Sequence, residues 1–172
     1  CTSIHIYNKY KRKFSSYSAF LAAAAALTDY LETRPIASNL VSRFDRQFLM
    51  LEATALSYMI SSSQHDIDFL MKIVDDLSQE KYPHDIEGGF LRAERHARKV
   101  LSVVKSIEDS IRVGKNLAYV QINSELPSSM VVNFVLGASG KPVALVYKTK
   151  EDINSCIISI RGSNECKVHL GR

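Results

Sequence analysis

The apolar pattern changes period once along the chain, at Gly114, and that change limits the folds open to it. Before Gly114, apolar residues recur at three- and four-residue steps, the spacing that lines one face of an α-helix. After it come short runs of strand length, rich in β-branched residues and separated by turn signals. The spacing predicts a helix over 2–13 around Ile4, Tyr7 and Tyr10, with Lys9, Lys11, Arg12 and Lys13 about it. Ser15 or Ser16 is suited to cap a second helix through Phe20 and the alanines to Leu31. Alanine is the best helix former and its small side chain admits close neighbours, so this helix is expected at a buried centre. Pro35 ends that helix or starts the next element.

Leu40, Phe44, Phe48, Leu51, Ala55 and Tyr58 then predict one long amphipathic helix or two short ones. A further helix over 66–77 is expected to turn Ile67, Leu70, Met71, Val74 and Leu77 inward, and 81–84 is expected to be a loop. The longest pattern, 87–112, places Phe90, Leu91, Ala97, Leu101, Val104 and Ile111 inward, with Arg92, Glu94, Arg95, Arg98 and Lys99 on its polar face. Beyond Gly114 the reading is strand 117–122, a helix from Pro127 or Ser128 to Leu136 closed by Gly137 and Gly140, strand 142–147, a charged turn 148–154 and strand 155–161. The expected fold class is therefore α/β: a mainly helical lobe and connector over 1–112, then a small, incomplete mixed α/β lobe over 113–172.

At 172 residues, 46% hydrophobic and 23% charged, the composition excludes a disordered tail or a collagen-like repeat. The longest apolar stretch, 19–27, falls short of the roughly 20 residues that cross a bilayer. A soluble protein with no membrane partner is expected. Cys1, Cys156 and Cys166 are odd in number and lack CxxC spacing, which favours the reducing cytoplasm. A net charge of +4 permits a polyanionic substrate without requiring one. The chain opens without Met and within an apolar pattern, as a piece of a longer protein would.

The five histidines show no HxxxH or HxH pair, and neither GxSxG nor a P-loop occurs. Gly88–Gly89 reads as a helix start or bend. Asp29, at the end of the most apolar helix, is either a helix-end carboxylate bonded to a neighbour or a metal ligand. Ser159 and Arg161 stand two apart on a strand and so share a face. An arginine there is suited to forked hydrogen bonding of a phosphate, or else pairs with Glu165 or Asp152.

An alanine-rich helix ending in Ala-Leu-Thr-Asp at 26–29, a helical linker, and a strand–helix–strand–turn–strand series ending in Ser-Ile-Arg-Gly-Ser at 159–163 together resemble the DHH phosphoesterases of the RecJ type. Asp29 matches the Asp of their Gly-x-x-x-Asp segment, with Ala25 in place of the Gly. Residues 158–163 are similar to the Ser-x-Arg-x-Ser strand of the DHH-associated C-terminal domain. Val168-His169-Leu170-Gly171 match the stretch before its GGGH motif. The resemblance implies a centre of two Mn²⁺ or Mg²⁺ ions with Asp29 as one ligand. Arg161 and Ser159, assisted by Ser163 or Asn164, would hold the phosphate beside the scissile bond. The implied substrate is single-stranded DNA or a short oligonucleotide, cut to 5′-mononucleotides. The family's DxD, second Asp and DHH motifs lie upstream of these residues and GGGH downstream, so the chain is expected to be part of a larger enzyme and inactive alone. The family also holds a non-catalytic replication factor that bridges helicase components and single-stranded DNA, which gives the alternative reading. A plain helical adaptor with a small α/β appendage needs no phosphate chemistry.

Overall fold

The computed structural model describes residues 1–123, 126–150, 155–163, 165–167 and 170. They form an α/β fold whose element order is α1 (Thr2–Tyr10), α2 (Ser16–Thr28), α3 (Pro35–Val41), α4 (Arg46–Ser62), α5 (Ile67–Ser78), α6 (Gly89–Ile107), β1 (Arg112–Val113), β2 (Leu117–Gln121), α7 (Ser128–Ser139), β3 (Val143–Lys150) and β4 (Ser155–Gly162). A short 3-10 turn, Pro83–Asp85, overlaps the end of the expected loop before α6. The chain divides into two compact units, Cys1–Ala97 and Arg98–Arg172. The division falls inside α6 rather than near residue 112, because the end of that helix belongs to the second core. Ile107 is buried there, with Val103 and Ile111 packed against the same cluster.

The alanines of α2 organise the first unit. Ala22, Ala23, Ala24 and Ala26 are buried together with Ile4 of α1, Ala37 and Leu40 of α3, and Leu49 and Ala53 of α4. Side chains this small let helix axes approach toward the roughly 8 Å lower limit of helix packing. Phe20 is fully buried, which contributes on the order of 2–3 kcal/mol. Its ring meets Phe44, Phe48 and Tyr82 edge-on or tilted at 4.9–5.9 Å. Pro35 is the first residue of α3, where its missing N–H costs nothing. Asp45 and Asp66 cap α4 and α5 by accepting from the Phe48 and Phe69 N–H groups.

Two inward faces differ from those that the sequence predicts. On α5 the buried positions are Phe69, Ile73 and Asp76, whereas Ile67, Met71 and Val74 are more than half exposed. Asp76 can occupy the inner face because Lys81 and Lys72 reach it at 2.7 and 3.0 Å. On α6 the buried set is Ala93, His96, Val100 and Ile107, about one position round from the predicted one, and Phe90, Leu91 and Leu101 are exposed. Arg92, expected on the polar face, is bound at 2.7 Å to Asp66 and lies over the Phe69 ring. No helix among the described residues is long and apolar enough to cross a membrane.

In the second unit the strands run in the order β1-β2-β3-β4. β1, a two-residue strand the sequence does not announce, pairs antiparallel with β2. β2 and β3 are parallel, joined by α7, and β3 and β4 are antiparallel. Ala118, Val120, Ala144 and Val146 bury one sheet face together with Val131, Val132 and Val135 of α7. Helix α7 ends at Gly140, in left-handed conformation at φ 60°, one turn past Leu136.

Candidate functional site

The β3–β4 register fixes which way the strand-end residues point. Ser159 lies opposite Val146 and Arg161 opposite Ala144, and both of those partners are buried in the core shared with α7. Ser159 and Arg161 therefore face the helix. The Ser159 hydroxyl lies 2.7 Å from the hydroxyl of Ser128, the first residue of α7. Pro127, the residue before α7, makes no side-chain capping bond, and Ser128 is buried at 4% exposure, so the positive end of the helix dipole lies beside this pair. Lys148, also on this face of β3, donates from Nζ to the Leu126 carbonyl at 3.3 Å, which places its charge near the start of α7. Arg161 is half-buried, and its Nη1 donates to the Ile160 carbonyl at 3.2 Å.

The residues after Arg161 shape the site's edge. The Ser163 N–H donates to the Pro142 carbonyl at 2.9 Å, and the Ser163 hydroxyl accepts from the Glu165 N–H at 3.2 Å. Ser163 thus holds the turn that leaves β4. Gly162 makes this turn possible: a Cβ there would stand 2.9 Å from Cys166 Cβ and 3.1 Å from Leu170 Cδ1. Asn164, like Asp152, Val168, His169 and Gly171, lies outside the described residues.

Asp29 lies in the first unit at the C-terminal end of α2. Its N–H donates to the Ala25 carbonyl at 3.1 Å, and its side chain is exposed. Among the described residues no three His, Cys, Asp or Glu side chains gather as a metal would require. Divalent ions of this kind take about six oxygen ligands each. Asp29 offers two oxygens, so these residues do not by themselves fit a two-metal centre.

Two features escape the sequence reading. Ser128 is legible only as a helix start, because its pairing with Ser159 joins residues 31 apart. Glu52 of α4 is a lone acid in an apolar pattern, yet it is 1% exposed and bound to His84. No sequence signal marks either partner. Compared with known family models, curated proteins and solved structures, the chain matches none.

Proposed function

We propose that this chain is the phosphate-recognising part of a RecJ-like DHH phosphodiesterase acting on single-stranded DNA or short oligonucleotides. The observation that supports this reading is the Ser128–Ser159 hydroxyl pair at the start of α7, with Arg161 two residues along the same strand face. When two hydroxyls share one hydrogen bond, one O–H remains to donate outward. That donor, the first N–H groups of α7 and a guanidinium fork are complementary to a phosphate's oxygens. Lys148 adds a point charge. In the family's arrangement Asp29 would contribute one carboxylate to a pair of Mn²⁺ or Mg²⁺ ions, whose chemistry is to activate water at a phosphodiester. Here Ser128, Ser159 and Arg161 bind and orient the phosphate.

Binding of a fluorescent, 5′-phosphorylated ten-nucleotide oligo(dT) tests the reading. Arg161→Gln is expected to weaken binding by roughly tenfold or more, since a hydrogen bond to a charged group contributes about 1.5–3 kcal/mol. Arg161→Lys is expected to restore little, because the fork is lost. Unchanged affinity in Arg161→Gln would refute this reading.

A further inference from the structure

A second cleft, in the first unit, has a different chemistry. It lies between α1 and α3, has a volume of about 340 Å³, and is lined by Tyr7, Asn8, Lys11, Asn39, Leu40 and Arg43 among others. That volume is at the lower end of the roughly 300–1,000 Å³ typical of small-ligand sites, enough for one small aromatic ligand. No lining residue is acidic. The two segments that form the walls, 1–13 and 34–43, hold Lys9, Lys11, Arg12, Lys13, Arg34 and Arg43 without a single Asp or Glu. A wall so free of carboxylates concentrates anions.

The neutral groups narrow the ligand further. Arg43 Nη2 donates to Asn39 Oδ1 at 2.9 Å, which fixes the carboxamide so that its NH₂ is the outward donor. Asn8 supplies a second carboxamide on the other wall. Tyr7, which lines the cleft, has its ring stacked on Phe14 at 6.5 Å with 16° between planes. Leu40, which is buried, and the exposed Pro35 and Ile36 give the cleft an apolar part of its lining. Cations suit a phosphate, an aromatic ring suits a flat base, and carboxamides suit base edges or ribose hydroxyls.

We propose that the α1–α3 cleft binds one nucleotide unit, its phosphate between Lys11 and Arg43 and its base beside Tyr7. The unit is either a free nucleotide or one residue of a single strand. This inference stands on the first unit alone and does not depend on the phosphate site beside α7.

The test is titration of the ¹⁵N-labelled protein with 5′-AMP, with a ten-nucleotide oligo(dT) and with inorganic phosphate, followed at the side-chain NH₂ signals of Asn8 and Asn39. AMP, oligo(dT) or both are expected to shift these signals at concentrations at least fivefold below those needed with phosphate. AMP acting alone would identify a free nucleotide, and oligo(dT) acting more strongly would identify a strand. Lys11→Gln combined with Arg43→Gln is expected to weaken the response at least tenfold, while Arg161→Gln leaves it unchanged. Phosphate acting as well as AMP, no shift at either Asn with any probe, or a response indifferent to the double substitution would each overturn the proposal. All three substituted positions are exposed or half-exposed, and retained amide dispersion in the variants checks that they fold.

Discussion

Glu52 takes two hydrogen bonds from one residue, His84: the backbone N–H reaches Oε2 at 3.1 Å and ring Nδ1 reaches Oε1 at 2.5 Å. A carboxylate accepts, so Nδ1 carries the proton in this pair. The arrangement pins the 3-10 turn that precedes α6 to the middle of α4.

Because Glu52 is buried and His84 is half-exposed, losing the two partners has unequal effects. His84→Ala strands a buried carboxylate with one remaining donor and is expected to lower stability by roughly 1–3 kcal/mol. Glu52→Gln keeps one acceptor for the His84 N–H but sets an NH₂ against the ring, and is expected to cost a similar amount. Urea unfolding of the two single variants and the double variant measures the coupling. A double variant equal to the sum of the singles would show that the pair is not coupled.

Asp76 contributes to the acid limb of stability. The hydrogen bond from Lys81, then that from Lys72, holds its carboxyl below the ordinary value of 3.8. A carboxylate with a lowered pKa stabilises the fold above its unfolded pKa, and that contribution disappears as pH falls through the folded value. Asp76→Asn is therefore expected to be less stable than the parent at pH 7, with the gap closing below about pH 4. Melting temperatures between pH 2.5 and 7 test this; a gap independent of pH would contradict it.

At the alkaline end the relevant group is Tyr17, whose hydroxyl donates to the Lys81 carbonyl. Burial, and next the neighbouring Tyr82, push its pKa from 10.0 up to about 12. A raised pKa means that the contribution is complete below pH 10 and is lost as pH rises toward 12. Tyr17→Phe is expected to lose about 1 kcal/mol at neutral pH and to flatten the decline above pH 10. Denaturant midpoints at pH 8 and pH 11 compare the two proteins.

Much of this architecture is legible in the sequence, and the exceptions have a common cause. The alanines of α2, the break at Pro35 and the β-α-β-β order after Gly114 all follow from local chemistry. The inner faces of α5 and α6 do not, because each apolar face is wider than the stripe that is buried, and the neighbouring elements choose which positions they cover. Ile67 and Asp76 show this most clearly: the isoleucine is exposed and the acid is inside. The same limit applied at the candidate site. Ser159 and Arg161 share a face by strand period alone, but the hydroxyl that meets Ser159 comes from the far side of a crossover.

Gly89 shows how tightly the turn before α6 is packed. A Cβ at this position would lie 2.7 Å from Met59 Sδ and 3.3 Å from Ile86 Cβ, so the end of the fully buried Met59 side chain would have to shift. The helix propensity gained by Gly89→Ala, about 1 kcal/mol at most, is outweighed by overpacking of roughly 1–3 kcal/mol. The variant is expected to be less stable in thermal melts, and Met59→Val in the same chain is expected to recover part of the loss.

The parallel pairing of β2 with β3 sets an order on how the second unit can be assembled. β3 and β4 follow one another in sequence and are antiparallel, so they can zip as a hairpin within roughly 1–10 μs. β2 reaches β3 only after the crossover that carries α7 has been laid across the sheet. The contact between the Ser128 and Ser159 hydroxyls depends on that later step. That hydroxyl pair is thus assembled late, and a chain stalled at the hairpin would carry Arg161 on β4 with no helix end beside it.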